Sequence, residues 1–303
     1  VNSIQSFFIL LICLVSAPAH LLHAQSAIAT LESTIAALQE QVGTAVTDAE
    51  RLKASDKLHE TLIGAFELDE VFVHPFPSWS KVGAMRSPDQ AFRLFNWNIP
   101  KLDGSHEYRC VLLFPDKTYY SLKGKKSPGK AEEDKVINAD EWYGALYYYI
   151  QPVKHKSETW YTLLGWEGHN LTSNKKVIDV LWFDNKGRPS FGKAVFKHEN
   201  HTYHRRVFEY NKAAQMTLSY LPAKEAIVYN ELVPQSGSSD GNYAFYMPGT
   251  AYHGYHLEKE LWIHDEKVDM TRPKGDEDKP QFNFPARPDL NKVRSTQNPL
   301  SGE

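Results

Sequence analysis

The sequence predicts a mainly β protein of the α+β kind: an antiparallel meander forming a sandwich or an open barrel, preceded by an N-terminal helical hairpin. Three observations carry this. Between residues 28 and 52 the apolar side chains recur every three or four positions, which is the period of one helical face. Between about 71 and 270 that period disappears, and runs rich in Tyr, Trp, Phe and Val alternate with turn residues. The connections between those runs are short, and short connections join antiparallel neighbours, because a parallel crossover needs about a dozen residues or more.

Ahead of the helices, Phe7-Phe8-Ile9-Leu10-Leu11-Ile12-Cys13-Leu14-Val15 forms an apolar run, broken by Pro18 and followed by Leu22-His23-Ala24-Gln25. The run is too short for a membrane span, which takes roughly 20 residues, and suits the apolar stretch of a secretory signal. Residues 1–24 therefore read as a signal peptide cut after Ala24, although no Lys or Arg precedes the run. The expected destination is the periplasm, the cell envelope or the medium, with no transmembrane span in the mature chain. Export would leave Cys110 as the remaining thiol, so the fold must hold by packing rather than by a disulfide. Cys110 lies in a strand-like stretch over 108–114 and reads as a small buried hydrophobe.

The helical leader is expected over 26–70. Ile28, Leu31, Ile35, Leu38, Val42, Ala45, Ala49 and Leu52 line one stripe. They suggest a single helix of roughly 27 residues and about 40 Å, bent at Gly43. Asp56 then opens a second helical reading through Leu58, Leu62 and Phe66. The stripe is expected to pack on the protein's own body, with a dimer through residues 28–52 as the alternative. Ala45 and Ala49 lack the bulk that tight self-association favours.

The body is expected over 71–270, with strands over 91–99, 107–114, 142–150, 159–166, 177–184, 190–196, 203–210, 215–221 and 226–232. Trp142, Leu146, Tyr148 and Ile150 occupy one parity of their run, while Tyr143, Ala145, Tyr147 and Tyr149 occupy the other. Neither face of such a strand is built for water, so it belongs inside a layered stack, beneath the helices or against a ligand groove. From 271 to 303 the chain is polar and carries Pro273, Pro280, Pro285, Pro288 and Pro299, which predicts an extended or disordered tail.

The succession Arg86-Ser87-Pro88-Asp89, Phe92-Arg93-Leu94-Phe95-Asn96-Trp97, Trp142-Tyr143-Gly144-Ala145-Leu146-Tyr147-Tyr148, Tyr161-Thr162-Leu163-Leu164-Gly165-Trp166 and Lys175-Lys176-Val177-Ile178-Asp179-Val180-Leu181 resembles a group of uncharacterised exported proteins of Bacteroidota-type bacteria. The resemblance spans about residues 60–270. It implies a signal sequence, a helical leader and a strand-rich body, and it brings no activity, cofactor or catalytic residue.

Charge and composition remove several functions. With 34 Lys+Arg against 37 Asp+Glu, the formal net charge of −3 lacks the basic excess that displaces counterions from phosphates, so no nucleic-acid partner is expected. A hydrophobic fraction of 42% excludes a chain too polar to fold. No nucleophile-elbow, phosphate-loop, dinucleotide or paired-cysteine template is read in the chain. The sharpest cluster is His198, His201 and His204, at steps of three, because three neutral imidazoles plus water would hold catalytic zinc or copper. The surrounding residues are strand-like, however, and strands do not enforce convergence at that spacing. A second histidine-rich stretch runs from Tyr252 to His256 and on to His264. Asp116, Glu141, Glu167, Asp179, Asp184 and Glu209 are eligible for a carboxylate pair. Trp97, Trp142 and Trp166 are the candidate ligand-stacking residues, with Trp160 and Trp182 as further indoles. The leading expectation is a non-enzymatic exported domain that binds an envelope protein or a small ligand, with no cofactor. The alternatives are a metal- or carboxylate-dependent hydrolase and a carrier of apolar molecules.

Overall fold

The structure is a computed structural model that describes residues 25–124, 127–237 and 240–270. The expected signal peptide over 1–24 and the proline-rich tail over 271–303 lie outside them. The chain divides into a unit ending at Val268 and a second from Asp269 onward; the fold below is that of the first.

Two helices come first, α1 over residues 25–44 and α2 over Asp48–Gly64. The single helix expected through Leu52 is thus broken at 45–47, and the cause is local. Thr47 Oγ1 accepts the Glu50 N–H at 3.2 Å while the Glu50 carboxylate accepts the Thr47 N–H at 3.1 Å, a reciprocal cap for a new helix. Arg51 then fixes the corner by donating to the carbonyls of Ala45 and Pro100, each at 2.8 Å. Replacing Thr47 with Ala is expected to cost about 1 kcal/mol, read as a lower urea midpoint with an unchanged slope.

A short helical turn, α3 (Glu70–Val73), leads to the first sheet: β1 (Gly83–Arg86), β2 (Arg93–Pro100), β3 (His106–Leu113) and β4 (Tyr119–Gly124), in that spatial order and all antiparallel. The middle sheet follows with β5 (Ile137–Asn138), β6 (Leu146–His155), β7 (Glu158–Glu167), β8 (Ser173–Phe183) and β9 (Pro189–Phe191), ordered β5-β9-β8-β7-β6. Two expectations shift here. Trp142 to Ala145 precede the strand rather than open it, and Pro152, expected in the connection, sits within β6 opposite Tyr161. β6 is an edge strand, so a residue without an N–H is tolerated there.

The chain then leaves the middle sheet. Gly192, at φ +89°, makes the exit; a Cβ there would stand 2.5 Å from the Lys135 carbonyl oxygen. β10 (Phe196–His198) and β11 (His201–Tyr203) open a third sheet, β12 (Arg206–Asn211) returns to pair with β8, and β13 (Leu218–Leu221), β14 (Ala226–Pro234), β15 (Tyr246–Glu258) and β16 (Leu261–Asp265) complete the third. Its order is β11-β10-β16-β15-β14-β13, with β10 parallel to β16. The expected strands over 190–196 and 203–210 are therefore each divided between two sheets, and the body is not a continuous meander. None of the three sheets closes on itself, so the architecture is sandwich-like.

Side chains alternate across a strand, so each face can be assigned. Phe95, Trp97, Ile99, Val111 and Leu113 face the helices and meet Ile28, Leu31, Ile35, Leu38, Val42, Leu58 and Leu62. The helical stripe is thus occupied within the chain. Leu94, Cys110 and Leu112, on the opposite face, meet Ala145, Tyr147, Leu163, Val177 and Leu181 of the middle sheet. The middle sheet's other face, through Trp160, Leu164, Ile178 and Val180, meets Ile227, Tyr255 and Trp262 of the third. The order is helices, sheet, sheet, sheet, with three cores between them. The first two sheets are covered on both sides, which accounts for their doubly apolar strands. Cys110 is 1% exposed and burial pushes its thiol far up, as suits a packing residue. Among the described residues no helix is long and apolar enough to cross a membrane.

Candidate functional site

The three histidines singled out above go to three places. His198 stacks on His264 with ring centroids 3.8 Å apart and planes at 11°. His201 pairs with Asp134 at 2.6 Å. His204 keeps a buried Nδ1 without a partner, while its backbone N–H donates to the Glu133 carbonyl at 2.7 Å. The turn lies at Glu199 and Asn200, so His198 and His201 face each other across it as a register pair. The second histidine stretch joins His198 instead, with His253 5.6 Å from His264. Parallel stacked imidazoles cannot direct their in-plane lone pairs at one ion. Burial, with His198 and His253 beside it, lowers His264 to about 4. Among the described residues no group of three or more His, Cys, Asp or Glu is placed to hold a metal ion.

The tryptophans also divide. Trp97 and Trp142 are each 2% exposed. Their indole N–H groups are satisfied internally, by Ser55 Oγ at 2.8 Å and by the Tyr147 hydroxyl at 3.2 Å. Both are core residues with their N–H groups already engaged, although Trp97 also borders a small cavity of about 200 Å³ beside Val42 and Leu58. Trp166 is different: it is half-buried and lines a groove of about 700 Å³.

That groove runs where edge strands β1 and β6 meet. Its outer wall, residues 75–82, is tied to α1 through Glu32, which accepts the Ser78 N–H at 2.8 Å and pairs with His74 at 3.0 Å. The opposite wall carries Leu146, Tyr148 and Trp166. Pairing shifts register between Tyr147 and Tyr149, and Tyr148, at this irregularity, is 41% exposed. An irregularity of this kind re-aims a side chain beside a site.

The floor is polar. Asn96 and Asn98 stand on the parity of β2 that faces the middle sheet, where Leu94 is apolar. The Asn96 amide donates to the Tyr147 carbonyl at 3.2 Å, and its Oδ1 is buried without a hydrogen-bond partner. Gly83 lies opposite it, and a Cβ there would stand 2.6 Å from Asn96 Nδ2 and displace the amide. Asn98 Nδ2 donates to His106 Nδ1 at 2.7 Å. Burial, strengthened by the Lys212 charge, lowers His106 to about 4, so its ring is neutral at pH 7 and Nδ1 is free to accept. The edge of the His106 ring meets Trp166 at 5.7 Å. The groove thus joins an indole and a phenol to two amides on a rigid sheet.

One pair of the eligible carboxylates converges. Glu167, Lys175 and Glu209 form a cross-strand row on β7, β8 and β12. Glu167 accepts from Ser127 Oγ at 2.7 Å, Lys175 donates to Ser127 Oγ at 2.8 Å and lies 3.7 Å from Glu209, and His169 lies 3.8 Å from Glu209. Burial, with the Glu209 charge adding to it, raises Glu167 to about 7 against the opposing pull of Ser127 and Lys175. Its side chain is only 2% exposed, and Ser127 and Lys175 occupy its surroundings. Asp179 is locked to Arg205, and Asp184 to Arg188.

Two local patterns escape the sequence reading. Gly237-Ser238-Ser239-Asp240-Gly241 spells Gly-x-Ser-x-Gly, but it lies between antiparallel partners β14 and β15, whereas a nucleophile elbow joins a strand to a helix. Ser238 and Ser239 lie outside the described residues. Gly124 to Lys130 fits Gly-x-x-x-x-Gly-Lys, but Ala131 stands where the phosphate loop has Ser or Thr, and Lys130 Nζ is committed to the Val207 carbonyl at 2.7 Å.

No family model, curated protein or solved structure matches the chain.

Proposed function

We propose that the protein is an exported, non-enzymatic ligand-binding domain, and that the seam groove receives a flat, hydroxyl-bearing ligand of the saccharide class. The observation that carries this is the pairing of accessible Trp166 and Tyr148 with the Asn96 and Asn98 amides in one groove. Aromatic faces take the apolar side of a sugar ring, while amides supply the few oriented polar contacts that fix it. The unpartnered Asn96 Oδ1 gains a hydrogen bond when a ligand hydroxyl reaches it. Export rests on the apolar leader, and the envelope is where such a ligand would be met.

A glycan array followed by calorimetry tests this. Trp166→Ala and Tyr148→Ala are each expected to weaken binding at least tenfold, about 1.4 kcal/mol, in protein that still unfolds cooperatively; part of any lower midpoint in Tyr148→Ala comes from its hydroxyl's bond to the Leu218 carbonyl at 2.9 Å. Trp97→Phe, a core change, should lower the midpoint and spare affinity. An array that stays blank, or binding that survives both groove variants, would overturn the reading.

A further inference from the structure

A second groove lies at the other end of β7. Trp160 and Trp166 are six positions apart on the same parity of that strand, about 20 Å at 3.3 Å per residue. This groove, of about 550 Å³, is lined by Ser157 at the β6–β7 turn, by Glu158, Thr159 and Trp160 at the start of β7, by Asn185 at the β8–β9 turn, and by Trp182 and Lys193. The antiparallel register that pairs Tyr161 with Leu181 brings the two indoles side by side.

The groove's polar groups are unevenly matched. Trp182 donates its N–H to the Gly192 carbonyl at 3.0 Å. Trp160 is 2% exposed, and its Nε1–H is buried with no hydrogen-bond partner, an arrangement that ordinarily costs stability. Lys193 Nζ stands 5.0 Å from the Trp160 ring and 5.8 Å from the Trp182 ring. Its counter-ion is Glu158 at 3.3 Å, whose side chain is 69% exposed. A pair that open to water contributes little and is readily exchanged. Asp184, the other carboxylate in the lining, is held by Arg188 Nη2 at 2.7 Å and adds little free negative charge.

We infer that this groove is a binding site for a carboxylate-bearing, ring-shaped ligand of the uronic-acid kind. The ligand's carboxylate takes the place of Glu158 on Lys193, its ring lies on Trp182, and one of its oxygens accepts the Trp160 N–H. The site stands on its own residues and does not depend on the seam groove.

Titrating the folded protein with glucuronate, glucose and acetate while following tryptophan fluorescence tests it. Glucuronate should give a saturable change that weakens with added salt, and glucose and acetate should not. Trp160→Phe keeps an aromatic side chain and removes the unpartnered donor, so it should lower glucuronate affinity at least tenfold in protein that still unfolds cooperatively. Lys193→Met should abolish the response. Glu158→Gln, which removes the competing carboxylate, should tighten binding severalfold. Trp166→Ala should leave all of this intact, which separates a failure here from a failure of the seam groove. No glucuronate response, equal affinity in Trp160→Phe, or weaker binding in Glu158→Gln would each overturn the assignment.

Discussion

Replacing Asp179 with Asn is expected to remove about 3–5 kcal/mol of stability, enough to unfold much of the population under mild denaturant. Asp179 and Arg205 are both fully enclosed, with Arg205 Nε 3.1 Å from the carboxylate. The same carboxylate accepts from the Tyr143 hydroxyl at 2.5 Å, the Tyr147 hydroxyl at 3.2 Å and the Val180 N–H at 2.8 Å. Arg205 also donates to the Lys135 carbonyl at 2.9 Å and to that of Glu132. Asn keeps the shape and removes the charge, so the guanidinium is left buried without a counter-ion. Adding Arg205→Met to Asp179→Asn should recover part of the loss, because the stranded charge goes with it. Urea unfolding of the native protein, of Asp179→Asn and of the double variant checks both statements. A loss below about 1 kcal/mol in Asp179→Asn would mean that the pair is not what holds the middle sheet here.

The second large effect is expected at Glu167. Its carboxyl is raised from 4.5 to about 7 in the folded protein. Below pH 4.5 it is protonated in both states. Between about 4.5 and 7 the folded protein holds a proton that the unfolded chain has released, so stability falls as pH rises through that window. Above 7 the loss is complete, about 3 kcal/mol. Glu167→Gln keeps an acceptor for Ser127 and does not titrate. Relative to the native protein, it should therefore gain about 3 kcal/mol in going from pH 4.5 to pH 8. Parallel stability curves for the two proteins across that range would show that Glu167 does not ionise in the window.

Much of the architecture was legible because it rests on local pattern. The apolar stripe from Ile28 to Val42, the hairpin around Lys101 to Gly104, and the doubly apolar runs of β7 and β8 each announce their element and its burial. The break before α2 was also written locally, in Thr47-x-x-Glu50, but the 3-4 spacing of Ala45, Ala49 and Leu52 ran across it and concealed it. β15 and β16 were less visible, since His253, Gly254 and His256 dilute the apolar signal and Pro248 argues against a strand. The splitting of residues 190–196 had a faint local sign, Gly192-Lys193 inside an otherwise apolar run. A single Gly in a strand pattern does not say that the chain changes sheets there, and it is the turn at Gly192, at φ +89°, that takes it out of the middle sheet.

The sites follow the same rule. That Trp97 and Trp142 are core while Trp166 is accessible depends on which sheet covers which, and that is decided by the stacking of layers rather than by any neighbour in sequence. The Glu167-Lys175-Glu209 row and the Trp160–Trp182 pair exist through strand register, which brings together residues with nothing in common along the chain. His198, His201 and His204 show the converse: closeness in sequence across a turn and a change of sheet left their rings in separate surroundings.

The route of the chain between its second and third sheets has a consequence for the order of assembly. β8 has one edge shared by β9 and β12, and between those two the chain departs to lay down β10 and β11, while β10 itself pairs with β16 only at the end of the body. Neither sheet can therefore be finished before the other has begun, and a nascent chain halted after β11 would carry two half-built edges at once. Folding must wait on contacts of long sequence separation, which are slow to close. In this respect the molecule resembles a lockstitch, in which a later pass of the thread, β12, fastens a row that was begun earlier.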